Sequence, residues 1–188
     1  APAPCGVMAN ATLPPLPVAA ALLEVNLGRG GDPVIPGTLY ETGPLMRSTP
    51  RVHFNASAAL YTLLLCDLDA PAPFIKAEGR VVRHWAIFNI PSWSLAHGEN
   101  GIEGGILAST YYSPRPPPGS GSHRYEFLLY AQRAALPLDD LEAWATHDSR
   151  YDWDIGAFVR GNNLTLAASN YFLCSAHADG LLHTPTGS

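Results

Sequence analysis

Five side chains able to hold or move protons fall in three short clusters: Asp67 with Asp69, then His84, then His123 with Tyr125. Carboxylates, imidazoles and a phenol are the side chains of general acid/base work and of hydrogen bonding to small polar ligands. Asp67-Leu68-Asp69-Ala70-Pro71 closes an apolar run, and a spacing of two puts both carboxylates on one face if the strand continues. Charges at a strand end that face a cavity need partners, which makes the pair candidates for a site. Taken alone, capping the turn at Pro71 is the simpler role for these acids, and a lone His84 before Trp85 reads as a packed or exposed histidine. The third cluster is the most distinctive. In Pro116-Pro117-Pro118-Gly119-Ser120-Gly121-Ser122-His123-Arg124-Tyr125 a stiff proline segment turns through two glycines into a strand, like the wall of a binding site.

The elements that must hold these clusters are mostly strands. Arg51 to Phe54, Leu60 to Cys66, Arg83 to Ile90 and Tyr125 to Gln132 are rich in bulky apolar residues. His123 then stands at a strand entrance, where sites commonly form. Ala70 to Gly79 and Gly98 to Gly105 read as loops. Leu138 to His147 is predicted to be helical, with Asp139, Asp140 and Glu142 in its first turn. A second short helix is expected near Asp154 to Arg160 and a last strand at Leu164 to Ala168. Residues 1 to 50 read as an irregular wrapping arm with short strands near Leu22 to Val25 and Thr38 to Tyr40. The expected fold is mainly β, with strands first and small peripheral helices late.

Composition bounds the function. The 188 residues suit a single domain, residues 1–188, with an extended N-terminal arm (1–20) and a flexible C-terminal tail (176–188). Charged residues make up only 14% against 47% hydrophobic ones, and eighteen prolines with seventeen glycines show no repeat period. That pattern fits many turns between short strands, not disorder. A net charge of −5, with one lysine and ten scattered arginines, leaves no basic stripe for nucleic acid. No apolar window of about 18 residues is present to span a membrane. Sequons at Asn10, Asn55 and Asn163 and an Ala-Pro-Ala-Pro start read as a secreted, glycosylated chain, the alternative being cytoplasmic. A Cys5–Cys174 disulfide tying the termini fits that compartment, and Cys66 reads as a buried free thiol. Without a Cys-x-x-Cys spacing, no metal site is expected.

Taken in order and spacing, Asp67-x-Asp69-Ala70-Pro71, His84-Trp85 thirteen residues beyond Pro71, and Pro116-Pro117-x-Gly119-x-Gly121-x-His123-Arg124-Tyr125 resemble the phosphatidylethanolamine-binding protein family, in a secreted, fungal-type form. The resemblance covers roughly residues 20 to 175, and its third motif is the specific one. It implies a large central antiparallel-type sheet, a smaller second sheet, short peripheral helices and a small cavity for anionic head groups. Asp67, His84, Pro116, Pro117, His123 and Tyr125 would line that cavity. Two imidazoles and the Tyr125 hydroxyl could donate to an anion, and amides near Gly119 and Gly121 could add a nest. Asp67 would orient a histidine or meet an ammonium group. Asp69 and Arg124 would form a buried pair beside the site, and Ala70–Pro71 matches the family's cis-proline position.

This chain departs from the family pattern at three places. Leu68 replaces a proline, Arg115 replaces the glycine before the two prolines, and Val81-Val82-Arg83 replaces an acidic-aromatic pair. Arg115 and Arg83 either add cations at the cavity mouth, favouring phosphoryl or carboxylate ligands, or point to solvent. The first functional expectation is therefore a protein binding a small anionic molecule or phospholipid head group without a cofactor. The second is a cofactor-independent cyclase, lyase or isomerase using His84, Asp67 and His123, as in the natural-product pathways, including maleidride-type anhydride coupling, that some fungal members accompany. The third is a protease inhibitor or signalling regulator with a protein partner. A Ser-His-Asp hydrolase lacks the Gly-x-Ser-x-Gly elbow.

Overall fold

The computed structural model describes residues 21–28, 31–71, 80–137 and 139–176. Asn10, Cys5, the 1–20 arm and all of the tail but Ala176 lie outside them. In chain order the strands are β1 (Ala21–Leu22), β2 (Glu24–Leu27), β3 (Asp32–Pro33), β4 (Leu39–Glu41), β5 (Arg51–His53), β6 (Leu60–Asp67) and β7 (Arg80–Pro91). Helix α1 (Ser92–His97), β8 (Ile106–Ser109), β9 (His123–Gln132), α2 (Leu141–Ala145), β10 (Trp153–Asp154), α3 (Ile155–Gly161) and β11 (Thr165–Ser175) follow. Eight strands form one sheet along the path β1-β11-β9-β6-β7-β10, with β4 beside β11 and β8 beside β7. Its centre is antiparallel, but β1 and β4 both run parallel to β11, so the sheet is mixed. A second sheet has the order β3-β2-β5.

The segment before residue 50 is thus more than the arm expected from its turn-rich sequence, because it supplies strands to both sheets. Its backbone donors and acceptors are satisfied by long-range pairing with β11 and β5, a partner choice no local pattern reveals.

The central strands are buried on both faces, which explains their apolar runs, interrupted mainly by the buried polar and charged residues at the site end. On one face Leu63, Leu65, Trp85, Tyr125, Phe127 and Phe172 form the core against the small sheet. Tyr125 stacks on Phe172 with ring centroids 5.5 Å apart, a contact of about 0.5–1.5 kcal/mol beyond area burial. On the other face Leu64, Cys66, Ala86, Phe88 and Leu128 pack under the helices, with Trp144 of α2 and Phe158 of α3 over Phe88.

The helix predicted over 138–147 spans only Leu141–Ala145, with Leu138 outside the described residues. Thr146 is extended, and a 3-10 turn follows at Asp148–Arg150. The buried Arg150 accounts for the change: its guanidinium donates to the carbonyls of Arg83, His84 and Thr110 and drags the chain onto β7. Helix α1 and strand β8 carry no clear periodic signal, and β11 runs on through Asn170-Tyr171-Phe172, well past the predicted last strand.

Candidate functional site

The pairing of β6 with β7 builds the site. Leu65 faces Trp85, yet the next residue, Cys66, faces Arg83, so His84 is the extra residue of a β-bulge. A bulge reverses the alternation of side chains beyond it. Without it, Arg83 would share the face of Trp85; with it, Arg83 turns to the helix side beside Trp144 and Trp153. This corrects both expectations for Arg83, which is neither a cation at the cavity mouth nor turned to solvent.

His84 is 3% exposed, and its Nδ1 lies 2.7 Å from the Tyr112 carbonyl. A carbonyl only accepts, so Nδ1 carries the proton and Nε2 is the atom left for a ligand. Burial holds the ring's pKa below the ordinary imidazole range, against the pull of the Tyr112 carbonyl and Asp67. The neutral ring therefore presents a lone pair at Nε2.

β9 begins with His123, opposite the end of β6. Its Nδ1 is 2.8 Å from Asp67 Oδ2, while Asp67 Oδ1 accepts from the Asp69 amide at 2.8 Å. His123 Nε2 lies 2.8 Å from Ser120 Oγ, whose single proton can serve that nitrogen or the Pro117 carbonyl, also at 2.8 Å. Tyr125 stands edge-on to His84, with ring centroids 5.0 Å apart, and its hydroxyl accepts from the Arg115 amide at 3.2 Å. Burial and the Asp67 carboxylate push that phenol far above its usual range, so it stays protonated. Gly119 and Gly121 both adopt left-handed φ values, +79° and +87°, which bend the chain from the prolines into β9.

Beside this network lies a cavity of about 530 Å³, lined by Asp67, His84 and Pro117 from the predicted set. Ala70, Pro71, Arg80, Val81, Val82, Tyr112, Tyr151 and Asp152 complete the described wall. His123 and Tyr125, both 0% exposed, and the buried Pro116 lie behind the wall. Arg115 is exposed, and its side chain is not part of the described wall. Sequence reasoning missed Arg80, Tyr112, Tyr151 and Asp152. The guanidinium of Arg80 grips Asp152 through two bonds of 3.0 Å across 72 positions, a pairing without a local signal.

Asp69 and Arg124 form a closed ion pair. Nε and Nη2 of Arg124 donate at 2.8 and 2.7 Å, and its amide adds a third bond at 2.9 Å. The Ala70–Pro71 bond is cis. Cys66 and Cys174 are buried thiols and neither is in a disulfide, so the expected disulfide is not formed at Cys174, and Cys5 lies outside the described residues. Cys174 stands across from His123 in the β9/β11 ladder, and burial and Asp67 push its pKa up to about 12. Asn55 and Asn163 are exposed. Among the described residues no helix is long and apolar enough to cross a membrane.

A mixed sheet backed by a small second sheet, with an Asp–His network and a cavity at the ends of its central strands, defines a ligand-binding β-protein. The chain belongs to the phosphatidylethanolamine-binding protein family, whose model matches residues 33–172. It is 29% identical over 152 residues to the protein YLR179C of Saccharomyces cerevisiae, covering 76% of this chain and 73% of that one. To the carboxypeptidase Y inhibitor of the same yeast it is 28% identical over 130 residues, 60% of this chain and 58% of the inhibitor. The crystal structure of that inhibitor with its cognate proteinase aligns over 85% of both chains with a TM-score of 0.62 at 23% identity, a likeness of fold. A 26 kDa secreted antigen of Toxocara canis is 32% identical over 118 residues, 62% of this chain and 42% of the antigen.

Proposed function

We propose that this protein binds a small molecule bearing a phosphoryl or carboxyl group in the 530 Å³ cavity, with His84 as the principal contact. The observation that carries this reading is the engagement of His84 Nδ1 by the Tyr112 carbonyl, which leaves Nε2 for the cavity. A singly protonated phosphate or a carboxylic acid suits such an atom. The ligand donates its proton to the neutral ring, or the ring takes up that proton and donates back to the anion. Asp67 and Pro117 share the wall, and His123 and Tyr125 hold Asp67 and His84 from behind. The exposed Arg115 side chain and the amides of Gly119 and Gly121 are the further donors assigned to an anion, the Ser120 amide being taken by the Pro117 carbonyl. A secreted setting agrees with the secreted antigen among the relatives.

The neutral Nε2 also supports the alternative of cofactor-independent acid/base catalysis by a cyclase, lyase or isomerase, with His84 as base, held by the Tyr112 carbonyl, and Asp67 and His123 as the further acid/base groups. A protein partner is the third reading and rests on the inhibitor among the relatives.

Calorimetric titration with phosphorylethanolamine, acetate and small dicarboxylates, followed by mass spectrometry for products, separates these readings. Binding without product, lost in His84→Ala, is the expected result. Product formation lost in His84→Ala would favour the enzyme, and binding unchanged in that variant would sink the cavity assignment.

A further inference from the structure

The second feature of interest lies on the opposite face of the sheet. Arg83, turned there by the bulge, is 1% exposed. Its guanidinium carbon sits 4.3 Å from the ring centroid of Trp144 and 5.1 Å from that of Trp153. Nη2 donates to the Trp144 carbonyl at 2.9 Å and to Ser149 Oγ at 3.0 Å, while Nε is buried with no hydrogen-bond partner.

No carboxylate among the described residues pairs with Arg83. Burial pushes the guanidinium down to about 10, with the neighbouring Cys66 sulfur pulling the other way and the like charge of Arg150 adding to the depression. The other buried arginines are better provided for. Arg124 holds Asp69 bidentately, and Arg150 spends its donors on three carbonyls and the Thr110 hydroxyl. A buried cation is ordinarily paired, and two indole faces offset only part of its lost hydration. Next to Arg83 lies a cavity of about 190 Å³, lined by Arg83, Ala143, Trp144, Ser149 and Trp153.

From this we infer that the Arg83 cavity is a second ligand site, taking a small carboxylate with an apolar body. The charge meets the guanidinium, and the apolar body lies against Trp144 and Trp153. A single cation with aromatic walls suits a monoanion; a phosphate dianion would require more donors than the cavity offers. The site is independent of His84 and stands or falls separately from the first cavity.

The test is a titration of the uniformly ¹⁵N-labelled protein with butyrate, with inorganic phosphate as the comparison. The indole N–H signals are identified with Trp144→Phe and Trp153→Phe. Saturable shifts of both indoles with butyrate are expected, with affinity at least about tenfold weaker in Arg83→Gln and unchanged in His84→Ala. If Arg83→Gln does not fold, Arg83→Lys serves, since it keeps the charge but loses the planar fork and should also weaken binding. Non-saturating indole shifts, shifts that survive both Arg83 variants, or shifts lost in His84→Ala would each overturn the inference.

Discussion

Asp67 and Asp69 stand two residues apart and meet successive residues of β9, His123 and Arg124, yet the two pairs are built for different ends. Asp69 accepts three hydrogen bonds from Arg124, so its lone pairs are consumed within the fold. Asp67 accepts one bond from His123 and one from the Asp69 amide and still forms part of a cavity wall. A planar fork closes on a carboxylate, whereas an imidazole engages it through one nitrogen and passes the link on to Ser120. Identical acids at one strand end thus separate into a clamp and a cavity-facing group through the partner each meets.

The comparison breaks most sharply at the clamp. Asp69→Ala leaves Arg124 buried without its carboxylate and should cost about 3–5 kcal/mol in chemical denaturation. A loss below about 1 kcal/mol would show that the pair is not structural. Asp67→Asn keeps the shape and removes only the charge, so a smaller loss of about 1–3 kcal/mol is expected, with a larger change in ligand affinity than in stability.

Acidity should move stability and binding in opposite directions. The folded-state pKa of His84 lies below its unfolded value near 6.5, so the unfolded chain protonates first as pH falls. The stability that His84 contributes is therefore present above about 6.5 and is lost as pH drops from there towards the depressed folded pKa. An anion that draws a proton onto the ring binds more tightly over the same window. Denaturation and calorimetry across that range, with His84→Gln as the reference, check both signs. Parallel trends would rule out proton uptake at His84.

The smallest effect is expected at the exposed rim. Arg115→Ala should change stability by less than about 0.5 kcal/mol, because only its amide is tied to Tyr125. Any loss of anion affinity in that variant then measures the side chain's share in ligand capture.

The motif residues were legible because each pairs chemistry with a strand end or a turn. Asp67 closes β6, His123 opens β9, and Gly119 and Gly121 take the positive φ their residue type permits. The apolar runs of β6, β7 and β9 were legible for the same local reason. Less legible were groups defined by distant partners. Arg80 joins the cavity wall through Asp152, Glu126 is buried on β9 with its pKa pushed up to about 8, and Arg150 shortens α2 by reaching β7. None of these follows from residue type or periodicity, since each depends on which segment packs alongside.

What the amino-acid order determined by itself is the inventory: the acids, imidazoles and phenol, the turn chemistry before β9, and the strand-forming runs that carry them. Only the tertiary structure decided how they are shared between the two faces of the sheet. One extra residue in β7, visible only in its pairing with β6, re-aims His84 and sends Arg83 to the tryptophans. The reason is geometric. Side-chain alternation is a local property of a strand, but a bulge exists only relative to the neighbouring strand.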